Sequence, residues 1–206
     1  MRLKTNVVMR HFISVVKDYK RNVSLPLLLN FDEEDQRKIA WLCRKENQKA
    51  NNYPGVLPGI PPYVMKVKYG KTEVNCGDEI DLNVTRAPPS ISYTRVNDDV
   101  FYTLIMIDPD APYPNKPTNA IYLHWLINNI PGKDIYRGRE LLEYEAPDPP
   151  ADSDRHRYII LLYEQTCYYP SHKWIDPRSN FNMTAYFLHN TVLHYPYQIN
   201  FFFAKK

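Results

Sequence analysis

The densest apolar run in the chain is "VFYTLIMI", Val100 to Ile107. A continuous run of this length, closed by turn residues, predicts a strand buried on both faces. "IYLHWLINN" from Ile121 and "HRYIILLYEQ" from His156 have the same character. "YVMKVKY" alternates instead, with Met65, Val67 and Tyr69 on one side and Lys66 and Lys68 on the other, which predicts a strand with one solvated face. "NCGDEIDL" carries a turn at Gly77, "APPSISY" is extended, and "QINFFFA" predicts a last strand. Helical patterning appears in two places. "FDEEDQRKIAWLCRKENQK" opens on the acids Asp32 to Asp35 and carries Arg44 and Lys45 near its end, matching the helix dipole, with Ile39, Leu42 and Cys43 as an apolar stripe. "SNFNMTAYFLHNTVL" predicts a second helix, capped by Ser179 or Asn180. The Pro- and Gly-rich stretch "NNYPGVLPGIPPY" separates the two textures. Residues 1–55 therefore read as a basic, helical extension, and residues 56–206 as one mainly β domain of α+β type with helices at its ends and periphery.

Composition narrows the function classes. With 206 residues, 44% of them hydrophobic, the chain can bury the core of one good-sized domain. A formal charge of +3 argues against a dedicated nucleic-acid binder. Eighteen prolines against six glycines favour turns and edge segments over long helices. Cys43, Cys76 and Cys167 form no CxxC pair, so neither a zinc site nor a disulfide framework is indicated and reduced thiols are expected. No run reaches the roughly 18 apolar residues of a membrane-spanning helix. The first 22 residues hold six Lys/Arg and one acid. A mitochondrial presequence has this texture, and so does a basic surface helix or arm. The expected location is cytoplasmic, with a mitochondrial one as the alternative.

The chemistry gathers at "DPDAPYP", Asp108 to Pro114, directly after the most apolar strand. An Asp-x-Asp pair at a strand end also occurs in phosphoryl-transferring dehalogenase-type enzymes, but here Ala111 and Pro112 follow and the chain does not alternate β and α. Two Asp and two His could hold zinc or manganese, yet nothing in their spacing demands a metal. His124 lies inside an apolar strand, where an ionisable ring needs a partner. A period of two places Tyr122, His124 and Leu126 on one side and Leu123, Trp125 and Ile127 on the other. By the same period His156 and Tyr158 share a face and Arg157 points away. Asp108 and Asp110 are the candidate partners for the histidines. The prolines of "EAPDPPADSDRH" predict a rigid pocket rim, with a cis bond as one device for holding it. No nucleophile with an activating base stands out, so binding is expected and enzymatic turnover is not.

Taken together, "DPDAP", "YLHWLINNIPG" and "APDPPADSDRHRYIILLYEQ" resemble the phosphatidylethanolamine-binding proteins, a family that includes the Raf-kinase inhibitor proteins and the plant flowering-signal proteins. "VKYGKTEVNCGDEIDLNVTRAPPSISY" is similar to the family's opening strands, and Arg178 and Phe181 match its "R…F" helix start. The resemblance implies a large antiparallel sheet flanked by a smaller sheet and peripheral helices. It also implies a small pocket for phosphate monoesters, phospholipid head groups or phosphorylated side chains, built here from Asp108, Asp110, His124, Pro150, His156 and Tyr158. Phe202 aligns where animal members place a tyrosine. No cofactor or metal is implied; the implied partners are a phosphate-bearing small ligand and a protein whose activity the domain modulates. The family's "PPxGxGxHRY" is "PPADSDRHRY" here. Acids beside an anion site should repel its ligand. In the implied relay an aspartate charges a histidine, His124 and His156 donate to the anion, and binding weakens as pH rises. The alternative is a structural or scaffold subunit, as in a mitochondrial ribosome or a virus, that keeps the fold without the ligand.

Overall fold

The computed structural model describes residues 63–169, 177–183, 186 and 192–206, with side chains of the last segment from residue 196 onward. The expected N-terminal helix, the basic arm and the Pro/Gly linker lie outside the described residues, apart from the linker's last residue, Tyr63, which opens the first strand. Ten strands follow. They are β1 (Tyr63–Val64), β2 (Lys66–Tyr69), β3 (Thr72–Val74), β4 (Asp78–Glu79), β5 (Ser90–Ser92), β6 (Phe101–Asp108), β7 (Tyr122–Pro131), β8 (Arg139–Leu142), β9 (His156–Gln165) and β10 (Val192–Ala204).

Seven of them form one sheet in the order β1-β10-β9-β6-β7-β8, with β4 also on β10; β3-β2-β5 form the smaller one. The expectation of an antiparallel large sheet needs correction. β1 and β4 both run parallel to β10, which makes the sheet mixed. Both short strands enter from the same direction as β10, so no hairpin could have paired them antiparallel. β8 was not visible as a strand in the pattern "RELL", where only Leu141 and Leu142 are buried. Val192 and Leu193, expected in the second helix, belong to β10; Met183 and Tyr186 are helical. Asn180, an expected cap, has φ +57, whereas a cap residue is extended.

The central strands are buried on both faces because each face has its own core. Ile105, Ile107, Ile159 and Leu161 pack on one side with Leu123, Leu126, Met183 and Tyr186. Leu104, Met106, Ile160 and Leu162 pack on the other, against Met65, Val67 and Tyr69 of the segment that leads through the smaller sheet. Cys76 is buried and disulfide-bonded, its partner lying outside the described residues, so the expectation of three reduced thiols does not hold there.

Candidate anion site

β6 ends at Asp108 while β9 begins at His156, and β10 crosses beside β9. The ends of β6 and β10 therefore meet the start of β9 at one end of the large sheet's central strands. Asp108 Oδ1 accepts the Asp110 backbone N–H at 2.7 Å, which fixes the carboxylate within the turn. Its Oδ2 accepts from His156 Nδ1, also at 2.7 Å. Both side chains are buried, so this contact is shielded from water and strong.

Asp110 does something different. Its Oδ2 accepts from Arg157 N and Nε, and its Oδ1 from Arg157 Nη2 at 2.6 Å. Of the two aspartates, Asp108 orients a histidine and Asp110 clamps the first turn of β9 through an arginine fork.

His124 reaches the site because β7 is bulged. Met106 pairs with Trp125 and Ile107 with Leu123, which leaves His124 as the extra residue. The strict alternation expected for β7 is broken here: Leu123 and Leu126 share one core, Trp125 and Ile127 the other. His124 Nδ1 donates to the Glu145 carbonyl at 2.8 Å, so in the neutral ring Nε2 carries a lone pair. Burial pulls the His124 pKa below its usual 6.5, against the opposing pull of the Glu145 carbonyl and Asp108. The ring stands edge-on to Tyr158 at 5.3 Å.

Tyr158 joins the two histidines. It also stacks near His156, with centroids 6.4 Å apart. Burial first, then Asp108 and Asp110, push its phenol upward, so it stays a neutral donor. Phe202 pairs with Tyr158 across β9 and β10, and their rings stack at 5.2 Å. Phe202 is fully buried and backs Tyr158, with Tyr69 edge-on at 5.6 Å. Pro150 is half-buried on the loop that leads into β9, and its carbonyl accepts the Ser153 amide at 3.0 Å. The rim's cis proline bond is Ala111–Pro112, within "DPDAP", not among the prolines at 147–150.

Sequence reasoning missed three contributors. Glu145 meets His124 twice through its backbone, and its carboxylate accepts from Tyr122 Oη at 2.7 Å and from Arg178 Nε at 2.7 Å. Burial, then Glu145, push the Tyr122 phenol up to about 12. Arg178 also donates to the carbonyls of Leu123, His124 and Glu143, pinning the bulge from outside the sheet. Ser153, in the "PPADSDRHRY" segment, has its hydroxyl hydrogen-bonded to His156 Nε2 at 2.8 Å. Its position three residues before His156 was the available signal. The added acids do not enter the cluster: Asp152 accepts from Tyr113 Oη, and Asp154 from the Arg155 amide. Among the described residues no group of three His, Cys, Asp or Glu could hold a metal ion, and no helix is long and apolar enough to cross a membrane.

Comparison with known proteins places this geometry. Over 130 residues the chain is 36% identical to the MOTHER of FT and TFL1 homolog 2 protein of Oryza sativa, covering 62% of this chain and 73% of that one. It is 36% identical over 106 residues to TERMINAL FLOWER 1 of Arabidopsis thaliana, covering 51% of this chain and 59% of the relative. The solved phosphatidylethanolamine-binding protein of Plasmodium vivax superposes with a TM-score of 0.56 at 22% identity, covering 81% of this chain and 97% of that one, which is a likeness of fold. The profile described as phosphatidylethanolamine-binding protein matches residues 63–202, so the chain belongs to that family.

Proposed function

We propose that the chain is a binding and regulatory protein whose pocket takes a phosphate monoester, on a phospholipid head group or a phosphorylated side chain, and that occupancy controls its contact with a protein partner in the cytoplasm. One observation carries the reading. A buried Asp108–His156 pair and a buried His124 converge on a single tyrosine, Tyr158. Four groups of this kind can satisfy a partly protonated phosphate from several sides. Tyr158 donates its hydroxyl. His124 Nε2 accepts from a phosphate O–H, or takes that proton and then donates. Pro150 and its neighbours shape the rim.

The proposal has a definite pH sign. Burial disfavours the charged His124 ring in the free chain, and a bound anion favours it. Binding then takes up a proton, and affinity falls as pH rises. Calorimetry with phosphorylethanolamine at about pH 6 and about pH 8, in buffers of different ionisation enthalpy, reads both quantities. The expected result is tighter binding at the lower pH with proton uptake, lost in His124→Ala. Equal affinity at both values would overturn the relay. No binding at either would favour a scaffold that keeps the fold alone, the reading that the self-satisfied Ser153–His156 contact would then support.

A further inference from the structure

The loop before β9 supplies a side chain that the binding reading does not need. Ser153 Oγ and His156 Nε2 are hydrogen-bonded at 2.8 Å, and His156 Nδ1–H donates to Asp108 Oδ2 at 2.7 Å. Hydroxyl, imidazole and carboxylate stand in series. With its proton on the nitrogen facing the carboxylate, the ring presents a lone pair to the hydroxyl. This is the relation in which a histidine acts as base for a serine nucleophile and a carboxylate fixes the tautomer.

The surroundings fit that relation. Asp108 and His156 are 3% and 1% exposed, while Ser153 is half-buried and borders solvent. The carboxylate cannot turn away, because Oδ1 is held by the Asp110 amide. The serine is set by a turn closed between its own amide and the Pro150 carbonyl at 3.0 Å. Base and orienting acid are thus dry, and the residue that carries the reacting oxygen is only half-buried.

We infer that Ser153 is an activated nucleophile that captures an acyl or phosphonyl group from a small ester with a good leaving group. Oγ attacks the carbonyl carbon or phosphorus, and the hydroxyl proton passes to His156 Nε2. The bond to the leaving oxygen breaks, and that oxygen departs with the proton. The products are a Ser153 ester and a free alcohol, with no change in oxidation state. The reaction asked for is capture, and it does not depend on phosphate binding: a chain that ignores phosphorylethanolamine can still be labelled.

A fluorophosphonate probe on the full chain tests this, its P–F bond breaking as Oγ–P forms and fluoride leaves. Peptide mass spectrometry of the native protein should place the adduct on Ser153, and heat-denatured protein should show none. Ser153→Ala should lose the adduct. His156→Gln should slow labelling by about 100-fold, the range of a lost general base, with its thermal unfolding recorded to establish that it is folded. If that variant does not fold, the native-against-denatured comparison decides alone. An unlabelled native protein, an adduct elsewhere, or equal labelling in a folded His156→Gln variant overturns the inference and leaves Ser153 as a cap on a buried histidine.

Discussion

His124 is 4% exposed, and its ring is more costly to charge inside the fold than outside it. The consequence for stability has a sign. Above 6.5, the usual value, the ring is neutral in both states and its contribution is complete. Below 6.5 the unfolded chain takes up a proton that the folded chain refuses, so stability falls as pH falls toward the lowered folded value. Thermal unfolding midpoints should therefore drop from about pH 7.5 to about pH 5.5, and His124→Gln should flatten part of that drop. A midpoint that rises on acidification would contradict the assignment. At this scale the sequence was informative about residue identity and poor about partnership. "HRY" placed His156 and Tyr158 on one face, because a strand's period is fixed. Glu145 could not be found that way. Its carbonyl meets His124 because the chain after β8 runs on beside β7, a pairing that no local spacing records.

The elements owe their positions to two departures from regularity. The bulge at His124 shifts the alternation of β7 by one residue and aims the ring at Tyr158. A second shift, between the pairs Tyr102/Ile130 and Leu104/Ile127, accompanies Asn129 at φ +55. Bulges of this kind leave no mark on a strand's hydrophobicity, so β7 was readable as a strand and its facing was not. The other device is the Asp110–Arg157 fork, which ties the turn after β6 to the start of β9. Arg157→Met leaves a buried carboxylate without its fork and should destabilise the fold by about 3 kcal/mol in urea unfolding. Asp110→Asn combined with Arg157→Met should recover part of that loss. A double variant no better than the single one would show that the fork does not carry the effect.

For the molecule as a whole, the strand order places β9 and β6 at the centre, each paired on both edges and covered on both faces. The three continuous apolar runs announced this arrangement, since only a doubly covered strand lacks polar alternation. The parallel joins of β1 and β4 to β10 were not announced, because two-residue strands carry no period. Hydrogen exchange should reflect the layout. Amides of Leu104 to Ile107 and Ile159 to Leu162 should exchange slowest, by global unfolding, and those of β3, β5 and β8 sooner by local opening. Equal protection in β8 and β6 would mean that the sheet opens only as a unit.

β10 is the last of the described strands, yet it lies along β9 and receives β1 and β4 on its own far edge. During synthesis this ordering leaves the apolar segment Ile159 to Leu162 with an open edge until Val192 to Ala204 have emerged. A ribosome-bound chain halted before Val192 should be cut readily by protease and held by chaperones. One extended past Ala204 by a flexible linker should resist. The domain is thus committed to folding only once β10 has emerged, and its exposure to misassembly is longest in the interval between β9 and β10.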